Sequence, residues 1–228
     1  ANTTDGSVGF ITDNTATTVT VQRLKGGTDN DFDTSDAYVI TGFGKITSDD
    51  FVSRGAGDVE FLLNYLFFRE PDSARFFSPS NAGVTLEYDA LMFAIADSQP
   101  DNMNGMIADH GQLICFGTTT TEIFEFTGGV GFPLARNING VIEQGCLNSK
   151  TVAKLDNTVF WLADDYTVRR LEGITPVRVS THAIEQKITA ATVSSAEAFS
   201  YEQEGHFFYV LSFDEGTYIL DVSTTKWH

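Results

Sequence analysis

A short pattern returns four times along this chain at nearly constant spacing, and it limits the fold more than any other feature. Each time, a two-residue turn leads into an apolar strand, a polar turn and a second strand. The turns are Leu63-Asn64, His110-Gly111, Asp156-Asn157 and Glu204-Gly205, and the anchors Leu63, Gly111, Asn157 and Gly205 lie 48, 46 and 48 residues apart. The apolar strands read Tyr65-Leu66-Phe67-Phe68, Leu113-Ile114-Cys115-Phe116, Val159-Phe160-Trp161-Leu162 and Phe207-Phe208-Tyr209-Val210. The second strands are expected at 75–77, 122–126, 166–170 and 217–220. A period of about 40 to 50 residues with several strands per unit marks radial all-β arrays, in which each sheet covers its apolar faces against its neighbours. The expected fold is therefore all-β: a β-propeller, or part of one, made of repeated antiparallel sheets.

Composition agrees with a packed β protein. The chain has 228 residues, 42% of them apolar and 12% aromatic, which suits sheets and not disorder. Fourteen basic residues stand against 31 acidic ones, a formal net charge of −17. Affinity for nucleic acid comes mostly from cationic groups that displace counterions from phosphates, so tight direct binding of DNA is disfavoured. Solubility or a salty habitat accounts for the acidity without any partner. No stretch approaches the roughly 20 apolar residues that span a bilayer, and no basic-then-apolar leader opens the chain. The expectation is a soluble chain with no membrane partner. The absent initiator methionine and the stop at Lys226-Trp227-His228 directly after an apolar strand suggest a piece of a longer chain, with an incomplete ring of blades. Cys115 and Cys146 are the only cysteines, and small buried apolar thiols are expected at both.

Residues 1–44 have a different texture, rich in Thr, Gly, Asn and Asp. Strands are expected at 18–24 and 37–40 with a turn-rich loop at 26–33 between them, as a polar β-hairpin insertion or outer-surface element. The blades occupy 45–228. Between 86 and 100 a crossing strand carries Phe93 and Ile95 alternating with Ala94 and Ala96, and a turn at Gln99-Pro100-Asp101 ends it. One short helix is expected, at 182–188, with Thr181 as N-cap and Glu185 near the first turn.

No catalytic, cofactor or metal site emerges. Asp29, Asp31 and Asp33 alternate as calcium ligands do, but the places where an EF-hand needs Gly and Glu hold Thr34 and Ile40. Asp164-Asp165 reads as a turn whose side chain caps its own backbone. His110, His182, His206 and His228 fall at unlike spacings, with no zinc or Cys-His pattern. Gly128-Gly129-Val130-Gly131 lacks the Lys-Ser/Thr ending of a phosphate loop and is expected to join two blades. The Phe-rich strands lack the basic groove that accompanies base-stacking platforms, so they are expected to be core.

One stretch does carry a likeness. Ala96-Asp97-Ser98-Gln99-Pro100-Asp101, then Gly105-Met106-Ile107, then the run from Leu113 through Phe116-Gly117-Thr118-Thr119-Thr120-Thr121-Glu122-Ile123 to Thr127-Gly128 resembles the packaged-DNA stabilisation proteins of short-tailed phages, the tail hub or nozzle family. The likeness continues more loosely through Gln144-Gly145, Val159 to Ala163 and Ser180 to Ile188, and back to about residue 45; residues 1–44 have no counterpart. The resemblance implies a structural, non-enzymatic virion subunit, made in the host cytoplasm and assembled as a homo-hexameric ring in the tail. Its partners would be the portal and head-tail adaptor, the tail needle or plug, and the tail spikes. DNA would pass through the channel without specific binding, and an acidic wall would favour that by repelling phosphates. Interface residues are not named by the sequence; the loops 26–36 and 128–139 are candidates. The alternative reading is a surface glycan-binding β module presenting Asp72, Trp161, Tyr166 and Trp227. A third is a hydrolase with two carboxylates about 5 to 10 Å apart.

Overall fold

The computed structural model describes residues 54–79, 82–83, 88–89, 91–128 and 131–228, together with the backbone of two short strands nearer the N-terminus. The chain divides into two compact units, Ala1–Lys45 and Ile46–His228. In the first, Ile11–Asn14 (β1) pairs antiparallel with Val19–Val21 (β2). The strand expected at 18–24 thus finds a partner on its N-terminal side. The strand expected at 37–40 and the loop holding Asp29, Asp31 and Asp33 lie outside the described residues.

Among the described residues the second unit forms four sheets, each of four antiparallel strands in sequence order. Sheet A contains Val59–Leu62 (β3), Tyr65–Arg69 (β4), Arg75–Phe77 (β5) and Phe93–Ile95 (β6). Sheet B contains Met103–Asp109 (β7), Gln112–Gly117 (β8), Thr121–Phe126 (β9) and Leu134–Ile142 (β10). Sheet C contains Ala153–Leu155 (β11), Thr158–Leu162 (β12), Val168–Glu172 (β13) and Thr175–Arg178 (β14). Sheet D contains Glu197–Gln203 (β15), His206–Phe213 (β16), Gly216–Asp221 (β17) and Lys226–Trp227 (β18). The four two-residue turns open the four sheets, each joining the first strand to the second. Both residues of every such turn have positive φ, from Leu63 at 49° and Asn64 at 68° to Glu204 at 51° and Gly205 at 78°. Tight hairpins need that geometry because its twist matches the flanking strands, and Asn and Gly tolerate it best. Like positions in these turns put the first interval one residue below the 48 that the anchors gave, because Leu63 is a first turn residue and Gly111 a second.

Alternation along each second strand then fixes the core. In sheet B, Leu113 and Cys115 face sheet A, packing with Phe67, Phe76 and Met106. The intervening Ile114 and Phe116 face sheet C, against Val159, Trp161 and Ala163. In sheet C the remaining Phe160 and Leu162 meet Tyr209, Leu211 and Phe213 of sheet D. β8 and β12 therefore each serve two cores at once, as a period of two requires of a strand buried on both faces. First strands also lie against one another, β3 beside β7 and β11 beside β15. Polar links join neighbouring sheets there: the Ala108 amide donates to Glu60 Oε2 (3.2 Å) and Ser200 Oγ donates to the Lys154 carbonyl (2.7 Å).

Three departures from the sequence reading have physical causes. Leu134–Ile142 is the outer strand of sheet B, although it looked like loop through Asn139; residues 137–140 bulge out of register, with Ile138 89% exposed, and this broke the alternation. Gly128 and Gly131 lie in the β9 to β10 connection, so this loop joins strands of one sheet, not two blades. The helix runs His182–Ala190 (α1), two residues longer than expected, and Thr181 occupies the N-cap without a side-chain bond. Its first-turn Glu185 is bonded instead by Ser180 Oγ (2.6 Å) and Arg178 Nε (2.6 Å).

Trp161 measures the worth of one interface. It is fully buried between sheets B and C, tilted 5.4 Å from the Phe116 ring, and its indole N–H donates to the Gly145 carbonyl (3.1 Å). Trp161→Ala should lower unfolding stability by about 3–5 kcal/mol, read as a fall in the urea midpoint with the slope unchanged; a loss below about 1 kcal/mol would contradict this packing.

Candidate functional site

The residues that gave the chain its family likeness converge at one end of sheet B. Three segments meet there: the 96–102 link from sheet A, the β8 to β9 turn, and the 143–152 link to sheet C. Asp101 closes the turn by accepting from the Thr119 amide (2.8 Å), the Thr120 amide (3.0 Å) and both threonine hydroxyls (3.1 Å each). Gly117 packs so close to Asp101 that a Cβ there would collide with the carboxylate. Thr121 Oγ1 donates to the Gln144 carbonyl (2.7 Å), and the Gly145 amide donates to Asp164 (2.9 Å). A Cβ on Gly145 would fall on the Thr118 carbonyl, which explains a glycine at that position.

Glu122 sits in the middle and is 1% exposed. Its Oε1 accepts from the Ser98 amide and hydroxyl, each at 2.8 Å, and its Oε2 lies 2.6 Å from Arg136 Nε. Arg136 also reaches Asp97 (2.5 Å) and the Ile95 carbonyl (3.0 Å). A buried carboxylate is costly unless paired and hydrogen-bonded, and here both conditions hold. The cluster thus ties sheet A to sheet B and sheet B to sheet C. Its hydroxyls donate to its carboxylates and hold the turn and the links in place, and Glu122 Oε2 meets Arg136 Nε as an ion pair without a well-aligned hydrogen bond.

The other sequence candidates serve structure as well. Asp165 accepts from the Thr167 amide (3.1 Å) and pairs with Arg169 (2.5 Å). Burial works against its charge, but hydrogen bonds from Arg169 and Thr167 outweigh that and hold the carboxyl below its usual range. Cys115 and Cys146 are free, buried thiols, and burial pushes Cys146 up to about 12, so neither ionises near neutral pH. His110 Nδ1 lies 2.7 Å from Asp109, and its Nε2 lies 3.1 Å from Asn157 Oδ1, linking the turns of sheets B and C. The hydrogen bond to Asp109 raises its pKa above the ordinary value. His206 pairs with Asp221 (2.8 Å), while His182 contacts Gln186 (3.2 Å). The histidines are not brought together, and among the described residues no three metal-capable side chains converge.

The proposed glycan platform does not assemble. Trp161 is core, and Trp227 is partly buried with its N–H on the Val179 carbonyl (2.9 Å). Tyr166 and Asp72 sit in separate turns with positive φ, at 62° and 52°. Sequence reasoning missed Glu122 and Arg136; a charged residue in an otherwise apolar strand was the signal that could have found the first.

Residues 56–228 match the family model described as bacteriophage P22 Gp10, beta-propeller. The chain belongs to this phage-stabilisation family. The match spans all four sheets, so the array is a β-propeller fold and the protein a structural component of a phage tail, not an enzyme. A search of curated proteins finds no match. A solved structure described as an exported protein of Bacteroides fragilis is similar at 11% identity over 80% of this chain and 72% of that one, with a TM-score of 0.31, too low to carry an argument.

The buried pair gives a direct test of the junction. Glu122→Ala should lower stability by about 3 kcal/mol, because it strands Arg136 and the Ser98 donors, and Glu122→Gln by less, since Ser98 keeps an acceptor. Equal urea midpoints for the wild type and Glu122→Ala would refute the role assigned to this cluster.

Proposed function

We propose that the chain is a tail-hub or nozzle subunit that forms a homo-hexameric ring below the portal and head-tail adaptor, extends the DNA channel, helps retain the packaged genome, and seats the tail needle and spikes. Its family membership carries this reading. The subunit works through interfaces: rigid sheets hold loops in place, and no step of turnover is involved.

The charge distribution supports the conduit role. Arg54, Arg69, Arg136, Arg169, Arg170 and Arg178 are each held by a carboxylate of the same chain: Glu70, Asp58, Glu122, Asp165, Glu172 and Glu185. With those cations engaged and a net charge of −17, the surface offers DNA little to grip, and a duplex passing it is repelled instead of retained.

Electron microscopy of the chain mixed with a portal and adaptor complex of its phage should show a six-fold ring at the distal end. A complex whose end stays bare at micromolar subunit would refute the hub reading.

A further inference from the structure

The sequence holds two Asn-Gly pairs, Asn104-Gly105 and Asn139-Gly140. Such a pair can cyclise on itself, because glycine has no side chain to keep its backbone nitrogen away from the asparagine carboxamide. Both pairs lie at irregularities of sheet B, Asn104 between Met103 and Gly105 of β7 and Asn139 in the bulge of β10. Their surroundings differ.

Asn104 is half-buried and tethered, with its Nδ2 donating to the Cys146 carbonyl (2.6 Å) in the link to sheet C. Strand pairing resumes at Gly105, opposite Phe116, and Gly105 packs so close to Ser149 that a Cβ there would collide with it. Neither the carboxamide nor the backbone beside it turns without breaking those contacts.

Asn139 is exposed, next to Ile138 at 89%. The register of β10 on β9 stops at Arg136 and resumes at Val141, so residues 137–140 have no partner on β9. Other groups hold the bulge: the Asn139 amide donates to Asn137 Oδ1 (2.9 Å), and Asn137 Nδ2 donates to Glu125 (2.6 Å). The Asn139 carboxamide takes no part in these bonds. Packing demands glycine at the next position, since a Cβ on Gly140 would meet Ile123 Cβ at 2.9 Å. The contact of β10 with β9 thus keeps, directly after an exposed asparagine, the residue that leaves it most reactive.

We propose that Asn139-Gly140 is a site of spontaneous deamidation and that Asn104-Gly105, in the folded chain, is not. The Gly140 backbone nitrogen gives its proton to hydroxide and attacks Asn139 Cγ. The new N–Cγ bond closes a succinimide ring as the Cγ–Nδ2 bond breaks, and Nδ2 takes up a proton and leaves as ammonia. Water then opens the ring: hydrolysis at Cγ gives aspartate, and hydrolysis at the backbone carbonyl gives isoaspartate, in which the chain runs through the former side-chain carbon. Either product adds a negative charge to a chain already at −17, and isoaspartate also lengthens the backbone within the bulge. A tail subunit is not replaced once it is built into a particle, so the change accumulates with age. The proposal does not depend on the hub reading.

Peptide mapping by mass spectrometry, with isoaspartate counted by enzymatic methylation, tests this on the 228-residue chain held at neutral and at mildly alkaline pH. In the folded chain Asn139 should gain one mass unit at least about tenfold faster than Asn104, roughly the factor that one net hydrogen bond is worth in a rate, and its rate should rise with pH. In urea the two sites should convert at similar rates, since only the fold distinguishes them. A folded-state ratio below that factor, whether from a reactive Asn104 or an inert Asn139, would overturn the proposal. The same ratio in urea would overturn it as well, because the difference would then belong to the neighbouring residues and not to the bulge.

Discussion

Apolar side chains on both faces of the same sheet impose the main constraint on this chain. A strand such as Val159-Phe160-Trp161-Leu162, fully buried along its apolar run, cannot be satisfied by one neighbour, because its odd and even residues point in opposite directions. Each sheet must therefore be flanked, and stability becomes a matter of nearest-neighbour interfaces in a quasi-linear array. The hairpin turns, the short links and the buried polar cluster all serve that stacking. Even Glu122, the charge buried in sheet B, reaches out through Ser98 and Arg136 to segments that come from sheet A and from the outer strand.

A scaffold of this kind suits a structural role. One stacking geometry repeats from sheet to sheet, so the sheets support one another through the same kind of contact. Among the described residues, Asp165, His110, His206 and both thiols are engaged in turns, links and cores. Six of the described arginines are paired with carboxylates of the same chain, and the chain as a whole carries a net charge of −17.

Much of this fold was legible in the sequence because turn chemistry and alternation are local. Asn64, Gly111, Asn157 and Gly205 announce left-handed backbone, and the apolar quartets after them announce strands buried on both faces. The first and fourth strands of each sheet were harder to see. Val59–Leu62 and Glu197–Gln203 carry Glu among aromatic residues, since their faces are partly open or bonded across to the next sheet. Leu134–Ile142 hid behind Asn137, Asn139 and Gly140, whose bulge breaks the period that would have revealed it. The junction was visible only as a likeness of motif; its logic depends on contacts such as Arg136 with Asp97, 39 residues apart in sequence, which no local pattern encodes. Trp161, read as a possible surface aromatic, shows the converse limit: a strand in an array has no outer face by default.

Native-state hydrogen exchange at single-residue resolution tests this dependence on neighbours most directly. If sheets are stable only through those beside them, the amides of β8 and β12, in the sheets flanked on both sides, should share the highest protection and exchange only through global unfolding, while β15 at the open face exchanges by local opening. Separate exchange classes for β8 and β12, or protection of β15 equal to theirs, would mean that the sheets hold themselves together individually and that stacking is not the organising interaction.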